Sequence, residues 1–247
     1  MVIAHRGFSG VAPENTMAAF QAAVDLGVGF ELDVMQCATG EVVIIHDDTV
    51  GHTTDGEGAI GEMSLEEIRL LDAGSWFGEK FAGEPIPTLR EVLERFGGVV
   101  PIDIEIKDCD SLESLANAVV AEIERAGVVD RVLVTSFNPY ILLRVQEQNP
   151  AILRGMLTGT FKDEDLTFIE KFVLRRLLFR GKVKPATVAA ERVCINKRKV
   201  RKWHRQGYEV LAWTVNDEAE MRRMIDAGVD GIITDNPAKL LELLEKY

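Results

Sequence analysis

The sequence is poor in cysteine and proline, and each shortage argues against a class of protein. Its three cysteines, Cys37, Cys109 and Cys194, are odd in number, far apart and in no CxxC spacing. That pattern argues against a disulfide framework and against a thiolate metal site. With only eight prolines and no segment of low complexity, long disordered regions are not expected. We therefore expect one compact globular domain over residues 1–247.

Long apolar runs are also missing. No stretch of about 18 uncharged apolar residues occurs, which argues against a transmembrane helix. The first residues, Met1-Val2-Ile3-Ala4-His5, lack the basic start, apolar middle and small-residue cleavage site of a secretory signal. A cytoplasmic location is the resulting expectation.

Basic residues are scarce except in one segment. The formal charge of −12 argues against nucleic acid as the main partner. Residues 171–205 nevertheless hold 13 Lys and Arg against one acid, Glu191, so the remainder carries 15 basic and 39 acidic side chains. Three explanations stay open: solvated faces of outer helices, an oligomer contact with the acidic remainder, or attachment to anionic lipid through residues 168–205. The third rests on apolar residues that interleave with the cations, namely Phe168, Phe172, Leu174, Leu177, Leu178 and Phe179.

Strand-like and helix-like segments alternate along most of the chain, which indicates a parallel α/β fold. The predicted strands are 2–6, 30–35, 102–107, 131–136, 152–157, 187–190, 209–215 and 231–234. The predicted helices are 14–26, 88–96, 112–126, 139–148, 163–179, 196–206, 218–227 and 238–246. Eight strands in a chain of 247 residues favour a closed (β/α)8 TIM barrel over an open sheet or two small domains.

One interval breaks the alternation after the second strand. Residues 41–46 continue in extended form, and residues 49–87 are rich in glycine, with a short helix expected at 64–71. This interval is predicted to be a small insertion within the barrel. Such loops often fold over an active site.

Two of the predicted strands carry charged residues at every second position. Glu31 and Asp33 share one face of the second strand, while Asp103, Glu105 and Lys107 share one face of the third. A parallel barrel strand is covered on both faces, so inward carboxylates need a partner, and a divalent cation suits carboxylate oxygens. The alternative is that these strands belong to an antiparallel sheet whose charged face is wet.

Two histidines are expected beside these carboxylates. His5 ends the first strand and His46 ends the extended segment, so both are predicted at the C-terminal rim, where such barrels place catalytic groups. An imidazole accepts or donates a proton near neutral pH. Either histidine taken alone could equally be an ordinary exposed or hydrogen-bonded side chain with no catalytic role. Arg6 and Lys107 add positive charge suited to a phosphoryl group.

The ordered set of motifs resembles the glycerophosphodiester phosphodiesterase family. The matching segments run from residue 5 to 237: His5-Arg6-Gly7, Pro13-Glu14-Asn15-Thr16, Glu31-Leu32-Asp33-Val34, His46-Asp47, Glu105-Ile106-Lys107, Trp213-Thr214-Val215-Asn216 and Gly231-Ile232-Ile233-Thr234-Asp235-Asn236-Pro237. Residues 161–201 match the family poorly, which leaves the substrate-selecting loops there undefined.

The resemblance implies a role for each residue of the charged group. Glu31, Asp33 and Glu105 would bind one divalent ion, Mg²⁺ or Ca²⁺. His5 and His46 would be the acid/base pair. In addition, Arg6 and Lys107 would contact phosphate.

Other residues are weaker candidates. Trp213 would line the pocket beside the substrate's glycerol, although an ordinary packed aromatic fits it equally well, and Phe137 is a similar candidate. Glu14 and Asn15 are expected to act structurally at the start of the first helix. Asp47 and Asp103 are candidates for groups that contact the metal-binding or catalytic side chains and hold them in place.

The reaction that the resemblance implies is hydrolysis of a glycerophosphodiester to sn-glycerol 3-phosphate and an alcohol. The nucleophile is either water or the substrate's own 2-hydroxyl, which would pass through a cyclic phosphate. One alternative is a lysophospholipase D-like enzyme acting on lysophospholipids at a membrane surface, and another is a phospholipase that forms a cyclic phosphate. A third is a barrel that binds phosphodiesters without cutting them.

Overall fold

Eight parallel strands close into a barrel in the computed structural model, which describes residues 1–108, 112–161 and 167–247. The strands are β1 Val2–Ala4, β2 Gly29–Gln36, β3 Val42–Ile44, β4 Ile102–Ile106, β5 Val132–Ser136, β6 Leu153–Thr158, β7 Thr187–Glu191, β8 Glu209–Trp213 and β9 Gly231–Thr234. All except β3 pair in parallel, in the order β1-β2-β4-β5-β6-β7-β8-β9, and β9 returns to β1. The predicted (β/α)8 barrel is confirmed.

The helices cover the outside of this barrel. They are α1 Met17–Asp25, α2 Leu65–Ile68, α3 Leu89–Phe96, α4 Leu112–Ala126, α5 Pro139–Gln148, α6 Phe168–Arg175, α7 Arg180–Val183, α8 Lys197–His204, α9 Glu218–Ala227 and α10 Pro237–Leu244. In the part of the chain that the structure describes, none of them is long and apolar enough to cross a bilayer.

The helices predicted at 14–26 and 163–179 differ from the structure for identifiable reasons. The helix predicted at 14–26 begins only at Met17, because Thr16 caps it by accepting the Ala19 N–H at 3.3 Å. The helix predicted at 163–179 is replaced by α6 and α7, which are separated by Leu177 in a left-handed conformation, φ 50°. Residues 163–166 of that prediction lie outside the described ranges, as does Cys109.

The second barrel strand forms a hairpin with the extended segment that follows it. β3 pairs antiparallel with β2, with Val34 opposite Ile44, so it lies beside the barrel rather than in its wall. The chain between β3 and α3 contains α2 and two 3₁₀ turns. These elements bury a small separate core, made of Met35, Cys37, Val43, Ile45, Val50, Ile60, Ile68, Ala73 and Ile86.

Each barrel strand has one face toward the helices and one toward the barrel axis. The outward residues of β2, Phe30, Leu32 and Val34, are fully buried in the main core with the helices. A second apolar cluster fills the barrel itself, from Ile3, Leu157, Ala189, Leu211 and Ile233. The inward faces of β2 and β4 carry the charged residues instead, which places these charges inside the barrel.

Candidate active site

Three carboxylates converge inside the barrel near the ends of β2 and β4. Asp33 lies opposite Glu105 in the parallel register, and Glu31 is two residues earlier on the same face of β2. One oxygen from each of Glu31, Asp33 and Glu105 lies within 4.8 Å of the other two. Glu31 and Asp33 are buried, at 4% and 1% exposure. The wet-sheet alternative is therefore wrong, because this charged face is enclosed.

Two basic side chains lie among these carboxylates. Lys107 Nζ is 2.8 Å from both Asp33 Oδ1 and Glu105 Oε1, and Arg6 Nε is 3.3 Å from Asp33 Oδ2. Burial favours the neutral acid, but Lys107 and Arg6 outweigh it and hold the pKa of Asp33 below its usual range. For Glu31, burial together with the nearby Asp33 and Glu105 holds the pKa well above its usual range.

The donor set fits a hard divalent cation. In the described part of the chain no Lys or Arg forms an ion pair with Glu31 within 4.0 Å, and burial and the neighbouring carboxylates hold its pKa up. The buried Arg6 Nε has no hydrogen-bond partner there; as a donor it suits an anion such as phosphate and not the cation. Three convergent carboxylates and a local deficit of positive charge are what an oxygen-ligated cation requires.

Each of the two histidines has an aspartate on the same ring nitrogen. His5 Nδ1 lies 2.7 Å from Asp235 Oδ1, and His46 Nδ1 lies 2.5 Å from Asp47 Oδ1. Asp47 also contacts His52, at 3.0 Å. A carboxylate on Nδ1 orients the ring and leaves Nε2 available for proton transfer.

The turn after β1 positions Arg6 through its backbone. Arg6 has a positive φ of 53°, and its N–H donates to Glu31 Oε2 at 2.8 Å. Gly7 follows with φ 77°, and a Cβ there would lie 2.7 Å from the Ala19 backbone. A side chain at position 7 would therefore push the turn away from α1 and displace the residues beside it.

Glu14 and Asn15 belong to this site, contrary to their expected role in starting the first helix. The Asn15 amide donates to Asp33 Oδ2 at 2.9 Å, and Glu14 accepts from Arg6 Nη1 at 2.7 Å. Thr16 supplies the helix cap instead. Asn15 has a positive φ of 58°, a backbone conformation in which Asn is enriched and that is typical of a constrained loop.

Asp103 comes two residues before Glu105 on the same inward face of β4, so it lies deeper in the barrel. It is buried and accepts a hydrogen bond from Thr135 Oγ1 at 2.8 Å. Burial raises its pKa to about 7. Asp47 and Asp103 thus both lie behind other site residues, Asp47 against His46 and Asp103 beneath Glu105.

Trp213 and Phe137 lie against each other at the C-terminal rim of the barrel. Their ring centroids are 5.6 Å apart in an edge-to-face arrangement, and Phe161 adds a third ring 5.6 Å from Phe137. Trp213 Nε1 donates to the carbonyl of Ala189 at 3.0 Å. Both side chains are only partly buried and pack on the apolar cluster inside the barrel, so they line the mouth and also continue the core.

Two further groups at the rim were missed by sequence reasoning. Asp235, after β9, accepts from His5, Ser9 and Asn216. Glu191 ends β7 opposite Trp213 in the register. Their position at strand ends was the available signal, because the C-terminal rim of a parallel barrel gathers the groups that follow each strand.

The comparisons with known proteins agree over nearly the whole chain. The model of the glycerophosphoryl diester phosphodiesterase family matches residues 5–239. A glycerophosphodiester phosphodiesterase from Caldanaerobacter subterraneus subsp. tengcongensis is 40% identical, covering 100% of this chain and 98% of that one. An Oleispira antarctica phosphodiesterase, solved in complex with the product sn-glycerol-3-phosphate, superposes with a TM-score of 0.88 at 32% identity over 99% and 96% of the two chains. A glycerophosphodiester phosphodiesterase from Agrobacterium tumefaciens superposes with a TM-score of 0.78 at 30% identity, covering 96% of this chain and 96% of that one. The chain belongs to the glycerophosphoryl diester phosphodiesterase family.

Proposed function

We propose that this chain hydrolyses glycerophosphodiesters to sn-glycerol 3-phosphate and an alcohol, with one divalent metal ion and two histidines. Family membership identifies it as a phosphoric diester hydrolase. The observation that carries the finer proposal is the enclosed trio of Glu31, Asp33 and Glu105, with two aspartate-backed histidines at the ends of β1 and β3.

Glu31, Asp33 and Glu105 would hold the metal, Mg²⁺ or Ca²⁺. When bound, such an ion neutralises phosphate charge and lowers the pKa of an adjacent hydroxyl or water. Asn15 fixes the orientation of the Asp33 carboxylate by bonding to it at 2.9 Å. Lys107 and Arg6 keep that carboxylate ionised and ready to bind a cation.

The chain's own residues would then position the phosphate and move the protons. Arg6 and Lys107 carry the positive charge of the site and would contact the phosphate oxygens. One histidine takes the proton of the nucleophile and the other protonates the departing alkoxide. Asp235 and Asp47 stabilise the imidazolium that forms on each side. Water and the glycerol 2-hydroxyl both remain compatible with this arrangement as the nucleophile.

Release of sn-glycerol 3-phosphate from glycerophosphocholine tests the proposal directly. The purified protein with added Mg²⁺ or Ca²⁺ should form sn-glycerol 3-phosphate and choline in equal amounts. Formation of choline phosphate and glycerol would place the cut on the wrong side of phosphorus. Binding of the substrate without turnover would favour a barrel that does not cut phosphodiesters.

A second candidate function, action on lysophospholipids at a membrane surface, is favoured by α6 and the turn after it. Phe168 and Ile169 are 84% and 72% exposed, and Phe172 and Leu178 are also exposed. Four exposed cations follow in the same part of the sequence, Arg175, Arg176, Lys182 and Lys184, and Arg176 lies over the Phe172 ring at 5.2 Å from its centroid. Apolar side chains flanked by cations suit an anionic lipid surface. Thr158 at the end of β6 bonds to the Leu174 carbonyl at 3.3 Å, so this patch lies at the same end of the barrel as the site.

Co-sedimentation with vesicles separates this candidate from the first. Binding to phosphatidylserine vesicles but not to phosphatidylcholine vesicles, lost in the double variant Phe168→Ser/Ile169→Ser, would support it. Leu70→Ser is the matched control, since Leu70 is 85% exposed and follows α2, outside α6 and the turn after it. Failure of the wild type to sediment with either vesicle would remove the candidate.

A further inference from the structure

A third histidine lies behind the pair of His46 and Asp47 and takes no part in the proposed proton transfers. His52 is 72% exposed, on the insertion that follows β3, and its Nδ1 lies 3.0 Å from Asp47 Oδ2. The other oxygen of Asp47, Oδ1, lies 2.5 Å from His46 Nδ1. One carboxylate therefore joins two imidazoles, each through its Nδ1.

Both imidazoles donate to this carboxylate. Burial favours the neutral acid, but the hydrogen bonds from His46 and His52 hold the pKa of Asp47 below its usual range. An ionised carboxylate only accepts hydrogen bonds, so each Nδ1 carries the proton in its bond to Asp47. Nε2 of His46 is then the nitrogen that faces the reaction, as long as Asp47 keeps its orientation.

The aspartate behind the other histidine of the pair is held on both of its oxygens. Asp235 Oδ1 lies 2.7 Å from His5 Nδ1 and accepts from Ser9 at 3.2 Å, while the Asn216 amide donates to Oδ2. The terminal torsion of an aspartate has only a broad preference, so a carboxylate bonded through one oxygen can turn. A donor on each oxygen fixes its plane.

Behind His46 the donor on the second oxygen is His52. Within the described ranges the two imidazoles are the hydrogen-bond partners of the Asp47 side chain. The contact of His52 with Oδ2 thus corresponds to the bond that Asn216 makes to Asp235, but it comes from the insertion rather than from a barrel strand end.

The turn that carries His52 is held by its own backbone and not by the imidazole. The Val50 N–H donates to the Gly58 carbonyl at 3.0 Å, and the Thr54 N–H donates to the Val50 carbonyl at 3.1 Å. The Val50 side chain is fully buried in the small core of the insertion. Removal of the His52 ring should therefore leave the turn in place, so that any effect on turnover passes through Asp47.

We propose that His52 is a positioning residue for the reaction: by donating to Asp47 Oδ2, it fixes the carboxylate that orients His46. This inference rests on the proposed function, in which His46 transfers a proton, and it adds a residue that touches no substrate. Because the effect is on the orientation of a proton-transfer group, it falls on kcat and leaves KM unchanged.

Hydrolysis of glycerophosphocholine tests the proposal. His52→Ala should lower kcat about three- to tenfold at unchanged KM, a smaller loss than removal of a histidine's direct partner. His52→Asn should restore most of kcat, because its amide nitrogen can donate from about the position of Nδ1. Glu57→Ala, at another exposed residue of the insertion, should leave both constants as in the wild type. An unchanged kcat in His52→Ala, a loss that His52→Asn does not restore, or a loss shared by Glu57→Ala would overturn the proposal.

A double-mutant cycle tests whether the effect passes through the aspartate. In an Asp47→Ala background, His52→Ala should cause no further fall in kcat, because the carboxylate that it holds is already gone. Losses that multiply in the double variant would mean that His52 acts by another route, against the proposal.

NMR of the ring nitrogens decides the proposal without turnover. At about pH 9, well above the ordinary pKa of an imidazole, His46 should carry its proton on Nδ1 in the wild type and should show a mixture of both tautomers in His52→Ala. The His46 signals are assigned by their loss in His46→Ala. An unchanged tautomer in His52→Ala would refute the positioning role, whereas a wild type that hydrolyses no diester would reject only the proposed function.

Discussion

The two halves of the barrel interior differ sharply in chemistry although they are built from the same repeating unit. On the β2–β4 side the inward positions hold Glu31, Asp33, Asp103, Glu105 and Lys107. On the β6–β9 side an apolar cluster of Leu157, Ala189, Leu211 and Ile233 fills the middle of the barrel, with Thr187 and Glu191 at the two ends of β7. The outward faces of both halves are apolar and buried, so the difference is confined to one face of each strand.

The comparison shows how a barrel separates stability from chemistry. Buried carboxylates cost free energy unless cations or hydrogen bonds compensate them, and here Lys107, Arg6 and Asn15 do so only in part. The apolar side chains of the other half carry no such free-energy cost on burial, and they fill the interior of the barrel. We expect substitutions in the charged half to act on catalysis and those in the apolar half to act on stability.

The largest effect is expected on the histidines at the charged rim. Replacing either His5 or His46 by Ala should lower kcat by about 10²–10⁴ while the fold is kept, because each removes a positioned proton donor or acceptor. His204→Ala is the matched control, since His204 pairs with Asp230 before β9, at the other end of the barrel. Retention of more than about a tenth of the wild-type rate in both variants would break the assignment.

The next effect is expected in the apolar half. Leu211→Ala should lower the free energy of unfolding by about 2–5 kcal/mol, because Leu211 is 1% exposed and its loss leaves a cavity. Below the melting temperature kcat should stay near that of the wild type. Denaturant unfolding beside Leu70→Ala, an exposed control, gives the stability. If Leu211→Ala keeps full stability but loses turnover, the apolar half serves catalysis rather than stability, which contradicts the expectation.

A smaller effect is expected where an aspartate acts through a histidine. Asp235→Asn should reduce kcat about 10- to 100-fold, less than His5→Ala, because it leaves the imidazole in place but no longer fixes its tautomer. Burial favours the neutral acid, yet His5 holds the pKa of Asp235 below its usual range, so Asp235 is ionised at neutral pH. Asp230→Asn, which affects the distant His204 pair, should leave kcat unchanged. Equal losses in the two variants would mean that Asp235 is merely structural.

The contrast between the two halves could be read from the sequence in large part. Alternating charge on strands flanked by helices predicts an enclosed carboxylate cluster, and the structure encloses Glu31, Asp33 and Glu105 as expected. Strand existence is also local information, because short β-branched and apolar runs mark each strand. The strand predicted at 187–190 was found at Thr187–Glu191, even though its surroundings match the family poorly.

What could not be predicted depends on contacts between distant parts of the chain. His5 meets Asp235 across 230 residues of sequence, and no local pattern encodes that closure of the barrel. The antiparallel pairing of β3 with β2 was likewise invisible, since residues 41–46 read only as extended. Asn15 reaches Asp33 because its loop folds back over the barrel, whereas its sequence context resembles an ordinary helix start.

Removal of the metal tests the central claim about the charged half most directly. Protein stripped with EDTA, and confirmed free of metal by elemental analysis, should release no sn-glycerol 3-phosphate from glycerophosphocholine. Adding Mg²⁺ or Ca²⁺ should restore the wild-type rate, and should not restore it in Glu31→Gln. Undiminished turnover by the metal-free protein would contradict the account, because the three carboxylates would then have no catalytic cation to hold.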